Sequence, residues 1–193
     1  MEECDMPIER HPWKPFIPQG AKVLIMGTFP PGNHRWSMDF YYPNRTNDFW
    51  YMIGLIFFND RNALYCKESR TFDLGAIKSL LTERHIALND TAREVRRLKG
   101  NASDKFLEIV TPVPLYELLR MMPECHTVAT TGEKAAGVIA DITGTPLPKM
   151  GEHVLSSDGI EIWRMPSTSR AYPMKLEYKA AYYADLFRAA GIL

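Results

Sequence analysis

The sequence predicts an α/β fold with a parallel sheet covered by helices on both faces. Short apolar runs alternate along the chain with helical patterns, the order that yields parallel strands joined by helical crossovers. The runs are apolar at nearly every position, as expected of strands buried on both faces. Its 193 residues fit one such domain, and 46% hydrophobic against 24% charged residues is enough apolar surface for a real core.

The first twenty residues carry Pro7, Pro12, Pro15 and Pro18 around Trp13 and Phe16. Residues 1–20 are therefore expected as an extended arm held down by its aromatics, with a single domain over 21–193. Val23 to Met26, ending at Gly27, reads as the first buried strand, and Thr28-Phe29-Pro30-Pro31-Gly32-Asn33 as the loop beyond it. Three more runs look alike: Ile86-Ala87-Leu88 into Asn89-Asp90, Thr127-Val128-Ala129 into Thr130-Thr131-Gly132, and Ile160 to Trp163 into Met165-Pro166-Ser167. Between them, Thr46 or Asn47 can cap a helix through Trp50, Ile53 and Ile56, and Asp73 can cap one through Ile77, Leu80 and Leu81. Pro114–Met122 and Glu133–Ile142 suggest two more. The clearest helix is the last, where Leu176, Ala180, Tyr183, Phe187 and Ala190 form one apolar stripe that Gly191 ends. Val154-Leu155, a Ser156-Ser157-Asp158-Gly159 turn and Ile160-Glu161-Ile162 read as a hairpin into the final strand.

Charge and motifs narrow the function. Lysine and arginine balance aspartate and glutamate at 23 each, so no basic field covers the whole chain. Three scattered cysteines argue against a disulfide framework or a cysteine-ligated metal, and the expected setting is cytoplasmic. No signal-like N-terminus or membrane-length apolar run appears. P-loop, G-x-G-x-x-G, His-Glu-x-x-His and G-x-S-x-G motifs are absent, so no nucleotide, metal or other cofactor is expected. In a parallel sheet, ligands bind beyond the carboxyl ends of the strands. Those ends are rich in hydroxyls and amides here, with Tyr41, Tyr42, Asn44, Asn47, Phe49 and Trp50 close behind. Aromatic faces stack on bases and amides read base edges, a mixture suited to a flipped-out nucleobase. Phe49 and Trp50 also fit the helix core, and Asn47 and Asn89 also fit a helix cap and a strand-end turn.

Three ordered segments resemble a known family: Gly27-Thr28-Phe29-Pro30-Pro31-Gly32, Tyr41-Tyr42-Pro43-Asn44-Arg45-Thr46-Asn47-Asp48-Phe49-Trp50, and Met165-Pro166-Ser167-Thr168-Ser169-Arg170-Ala171. They are similar to the uracil-DNA glycosylase superfamily, in particular its hypoxanthine-DNA glycosylase branch near the mismatch-specific uracil/thymine glycosylases. The resemblance runs from about Lys22 to the last helix and lies in the ordered set rather than in any one motif. It implies a three-layer α/β/α sandwich around a four-stranded, mainly parallel sheet. The implied activity is monofunctional hydrolysis of the N-glycosidic bond of a deaminated or mismatched base, hypoxanthine or uracil, in DNA. The implied partner is double-stranded DNA carrying that base, bound by a monomer.

Carried over by position, Gly27, Thr28 and Phe29 would lie against the deoxyribose and the leaving base. Many relatives have an Asn or Asp two residues after that glycine to position water; Phe29 cannot do this, and the catalytic amide would be Asn47 of the Asn-x-Phe-Trp element. Tyr42 would stack on the base and Asn89 would read it. Ser167, Thr168, Ser169 and Arg170 would hold the DNA backbone, with Arg170, Ala171 and Tyr172 standing where relatives carry a leucine wedge.

A departing base and a cationic sugar need oriented amides, N–H groups and one water, but no covalent nucleophile. Asp39, Asp48 and Asp90 flank the expected cleft and could polarise that water. For backbone contact the sequence offers His34, Arg35, Arg45, Arg164 and Arg170 near the cleft. It also offers the 91–105 stretch, where Arg93, Arg96 and Arg97 would share one helical face. Two functions stay open: a glycosylase, favoured by Asn47, and a catalytically silent nucleic-acid or nucleotide-binding domain, favoured by Phe29.

Overall fold

The computed structural model describes residues 6–99 and 103–193; Cys4 and residues 100–102 of the 91–105 stretch lie outside the described residues. In chain order the elements are β1 (Ile8–Arg10), β2 (Val23–Gly27), α1 (Phe49–Phe58), β3 (Tyr65–Cys66), β4 (Thr71–Phe72), α2 (Leu74–Glu83) and β5 (Ile86–Asp90). They continue with β6 (Ala92–Arg97), β7 (Leu107–Pro112), α3 (Leu115–Arg120), β8 (Thr127–Thr131), α4 (Glu133–Thr143), β9 (His153–Leu155), β10 (Glu161–Met165) and α5 (Leu176–Ala189).

Strands β5, β2, β8 and β10 lie side by side and parallel, in that order, and β9 adds a fifth, antiparallel strand at the β10 edge through the expected hairpin. The sheet thus has one strand more than the four expected. Every residue of β2, β5 and β8 is buried. Successive side chains leave opposite faces of a strand, and the core divides accordingly. Val23, Ile25, Ile86 and Leu88 pack with α1, α2 and α5, whereas Leu24, Met26, Ala87 and Val128 pack with α3 and α4. The result is a three-layer α/β/α sandwich. Asp73 caps α2 by accepting the Ala76 N–H at 2.9 Å.

The arm does more than rest on the domain. Phe16 exchanges backbone hydrogen bonds with Leu88 at 3.0 Å in each direction, and β1 joins β6 and β7 in a separate three-stranded antiparallel sheet. This corrects the expected helix over 91–105. Ala92 and Val95 pack with Leu107, Phe29 and Ile109; β7 returns antiparallel on β6 as the next strand of the chain, and β1 reaches its other edge from the arm. The arginines consequently share no helical face. Arg97 forms a bidentate pair with Glu9 at 2.9 and 3.0 Å, and Arg96 pairs with Glu108 at 3.3 Å.

Candidate functional site

A cavity of about 750 Å³ opens beyond the carboxyl ends of the parallel strands. Gly27, Thr28 and Phe29 line it from the β2 loop, Tyr42 and Asn47 from the segment before α1, and Ser167, Thr168, Ser169 and Arg170 from the loop after β10. Nine of the ten site residues expected from sequence thus surround one space. Asn89 is the exception. Its side chain lies away from the cavity lining, where Oδ1 accepts a hydrogen bond from the Tyr41 hydroxyl at 3.0 Å.

Local hydrogen bonding decides what each group offers. Asn47 Oδ1 accepts the Phe49 N–H at 2.9 Å, at the first turn of α1. This i to i+2 bond, one residue ahead of the N-cap Asp48, fixes the amide orientation, and Nδ2 has no hydrogen-bond partner among the described residues. Tyr42 holds a left-handed φ of 51°, stacks one ring face on Phe49 at 3.7 Å between centroids, and places its hydroxyl 3.3 Å from Thr131 Oγ1. Burial pushes the Tyr42 phenol far up, and the charge of Asp90 adds to this, so it stays a neutral hydroxyl. In the β10 loop, Ser167 Oγ accepts the Ser169 N–H and Ser169 Oγ accepts the Ala171 N–H, at 3.2 and 3.3 Å. Each serine hydroxyl keeps its proton free for an anion.

The loop is clamped to the start of α1. The Asp48 N–H donates to Thr168 O at 2.9 Å, and the Asp48 carboxylate holds Arg170 Nε at 3.0 Å and Lys179 Nζ at 2.9 Å. Lys179 is fully buried and also donates to Ser169 O at 2.8 Å. Arg170 is thus an anchored side chain, its guanidinium 5.4 Å above the Tyr51 ring. Arg164 is engaged as well, by Glu133 at 2.6 Å.

Of the three carboxylates that sequence placed near the cleft, Asp48 is neutralised by these cations and exposed Asp39 accepts the Trp13 indole N–H at 2.7 Å. Asp90 lines the cavity. Its Oδ2 lies 2.8 Å from His11 Nε2, and because a carboxylate only accepts, Nε2 carries the proton. His11 Nδ1 meets the Trp13 backbone at 3.1 Å from its oxygen and 3.2 Å from its nitrogen. Asp90 Oδ1 packs so close to Gly27 that a Cβ there would sit 2.7 Å from it, so the close approach requires glycine. Sequence reading missed His11 in this role, since it sits 79 residues from Asp90 in an arm read only as packing.

A carboxylate that sequence reading did miss, Asp104, faces the same cavity and accepts the Thr28 hydroxyl at 2.8 Å. Burial raises its pKa; the Thr28 bond opposes this, the charge of Asp90 adds to it, and Lys134 and Arg97 lower it. Such a carboxyl binds its proton more tightly when folded, so ionising it opposes folding. The penalty is absent below the unfolded pKa and complete above the folded one. Asp104→Asn is therefore expected to raise the Tm near neutral pH. The gain should disappear as pH falls through the carboxylate range, and a pH-independent gain would contradict this. Among the described residues no group of three or more His, Cys, Asp or Glu is placed to hold a metal ion, and no helix is long and apolar enough to cross a membrane.

The three layers, the parallel sheet and the cavity at its carboxyl end define a three-layer α/β/α domain with its cleft where open parallel sheets bind ligands. In particular, the fold is shared with the solution NMR structure of a candidate uracil DNA glycosylase from Methanosarcina acetivorans, with a TM-score of 0.66, 19% identity, 96% of this chain and 99% of that chain covered. No protein-family model and no curated protein matches the sequence.

Proposed function

We propose that this protein is a monofunctional DNA glycosylase that removes a deaminated or mismatched base, hypoxanthine or uracil, from double-stranded DNA. The observation that carries the reading is one cavity combining an aromatic ring, a fixed amide donor and a carboxylate oriented by a histidine, beside a hydroxyl-rich loop. The shared fold supports it.

In this mechanism the target nucleotide leaves the duplex and its base enters the cavity against the ring face of Tyr42 that Phe49 leaves open. The C1′–N bond breaks with its electron pair going to the base. Water, held through its oxygen by Asn47 Nδ2, adds to C1′ and yields a proton to Asp90, while the base takes up a proton from solvent. His11 keeps Asp90 oriented. No lysine nucleophile is required. Lys105 at the rim is exposed and Lys179 is committed to Asp48, whereas Schiff-base chemistry needs a desolvated amine free to react.

The test is incubation with duplexes carrying one uracil, hypoxanthine, xanthine or mismatched thymine, followed by hot alkali. Cleavage at a lesion supports the reading, and intact strands for all four overturn it. Tyr42→Ala is expected to weaken lesion-containing DNA more than undamaged DNA by about 1 to 3 kcal/mol, with Tyr42→Phe tolerated because the ring face remains. Equal losses on both DNAs in a binding titration would assign Tyr42 to packing.

A further inference from the structure

A second concavity, of about 470 Å³, adjoins the first and shares Arg35, Asn44 and Thr46 with it. Its titratable lining is wholly basic: His34, Arg35, Arg45 and Arg70. In a chain with equal numbers of acidic and basic residues this is a segregated charge. Among the described residues none of the three guanidiniums has a carboxylate partner, whereas Arg10, Arg96, Arg97 and Arg164 each hold one. Three guanidiniums lining one concavity without a carboxylate partner leave their donors for an anion such as a phosphate.

The site is also braced. Trp36 Nε1 donates to Pro31 O at 2.7 Å, and the Ser37 N–H and hydroxyl both donate to Pro43 O, at 2.9 and 2.8 Å. The β3–β4 hairpin is tied to this loop because Thr71 Oγ1 donates to Ser37 O. Arg70 precedes Thr71 with a left-handed φ of 54°, so its side chain starts from a fixed, unusual backbone position.

We propose that this pocket is a phosphodiester subsite that seats a backbone phosphate flanking the extruded nucleotide. The assignment rests on the reading that the first cavity receives the base, because the shared wall then carries the strand from one pocket to the other. The ligand chemistry is a phosphate oxyanion held by planar guanidinium groups, a geometry that arginine provides and lysine does not.

The experiment measures binding of a lesion-containing duplex as a function of salt for wild type, Arg45→Ala, Arg70→Ala and the double variant. Each single loss is expected to reduce the slope of log K against log salt by about 1 and to weaken binding about tenfold near 0.1 M salt. In parallel, wild type is titrated with duplexes carrying one neutral methylphosphonate at successive positions. One position beside the lesion should reproduce the loss, and the double variant should be insensitive to it. Unchanged slopes, or a scan with no position-specific loss, overturn the subsite. If inorganic phosphate suppresses the arginine effect but no methylphosphonate position does, the pocket takes free phosphate and the proposal fails. Base release by wild type, followed in the same samples, reports separately on the glycosylase reading.

Discussion

Asn47→Ala is expected to slow single-turnover base release by about 10² or more while affinity for lesion DNA changes little. Orienting the attacking water contributes a few kcal/mol to the transition state and little to binding. The same substitution removes the hydrogen bond that the Phe49 N–H makes at the start of α1, worth about 1 kcal/mol, so a Tm loss of a few degrees should accompany it. Asn47→Asp separates the two roles. It retains the accepting oxygen and loses the Nδ2 donor, so it should keep most of the Tm and still be slow. Full activity in either variant would remove Asn47 from the chemistry.

The largest stability effect is expected at Lys179. Its ammonium is fully buried between Asp48 and Ser169 O. Lys179→Met should cost about 3 kcal/mol, at the low end for breaking a buried pair because Arg170 still serves Asp48. For a domain of this size that is a Tm drop of roughly 6 to 12 °C. Removing both charges with Asp48→Asn and Lys179→Met should recover much of the loss, since the carboxylate left with Arg170 as its one cation is then gone. An unchanged Tm in Lys179→Met would mean that the clamp between α1 and the β10 loop contributes nothing.

What the sequence revealed follows from which signals are local. Val23–Gly27, Ile86–Asp90 and Thr127–Thr131 are buried throughout, so their apolar runs were readable without knowing their partners. The strand ends followed, and with them the Thr28, Asn47 and Ser167 segments that surround the cavity. The groups that were hidden depend on distant contacts. Arg93, Arg96 and Arg97 have a spacing that fits a helix as well as a strand, and the matter is settled by pairing with β7, the next strand, and with β1 from the distant arm. His11 meets Asp90 only because β1 fixes the arm. Lys179 sits beside the apolar stripe of α5, yet its burial follows from a carboxylate 131 residues away. Asn89 sits at a strand end as expected, but Tyr41 occupies its oxygen.

Whether the cavity hydrolyses a base from DNA is decided by chromatography of the free base under enzyme excess. Wild type and Asn47→Asp would be run side by side on duplexes bearing uracil or hypoxanthine, with bound DNA measured in the same samples. Wild type is expected to yield intact free base in step with alkali-labile sites, and Asn47→Asp to release it at least about 10² slower at equal binding. Tight binding of both lesions by wild type with no base released would contradict base hydrolysis and leave a binding protein built on this fold.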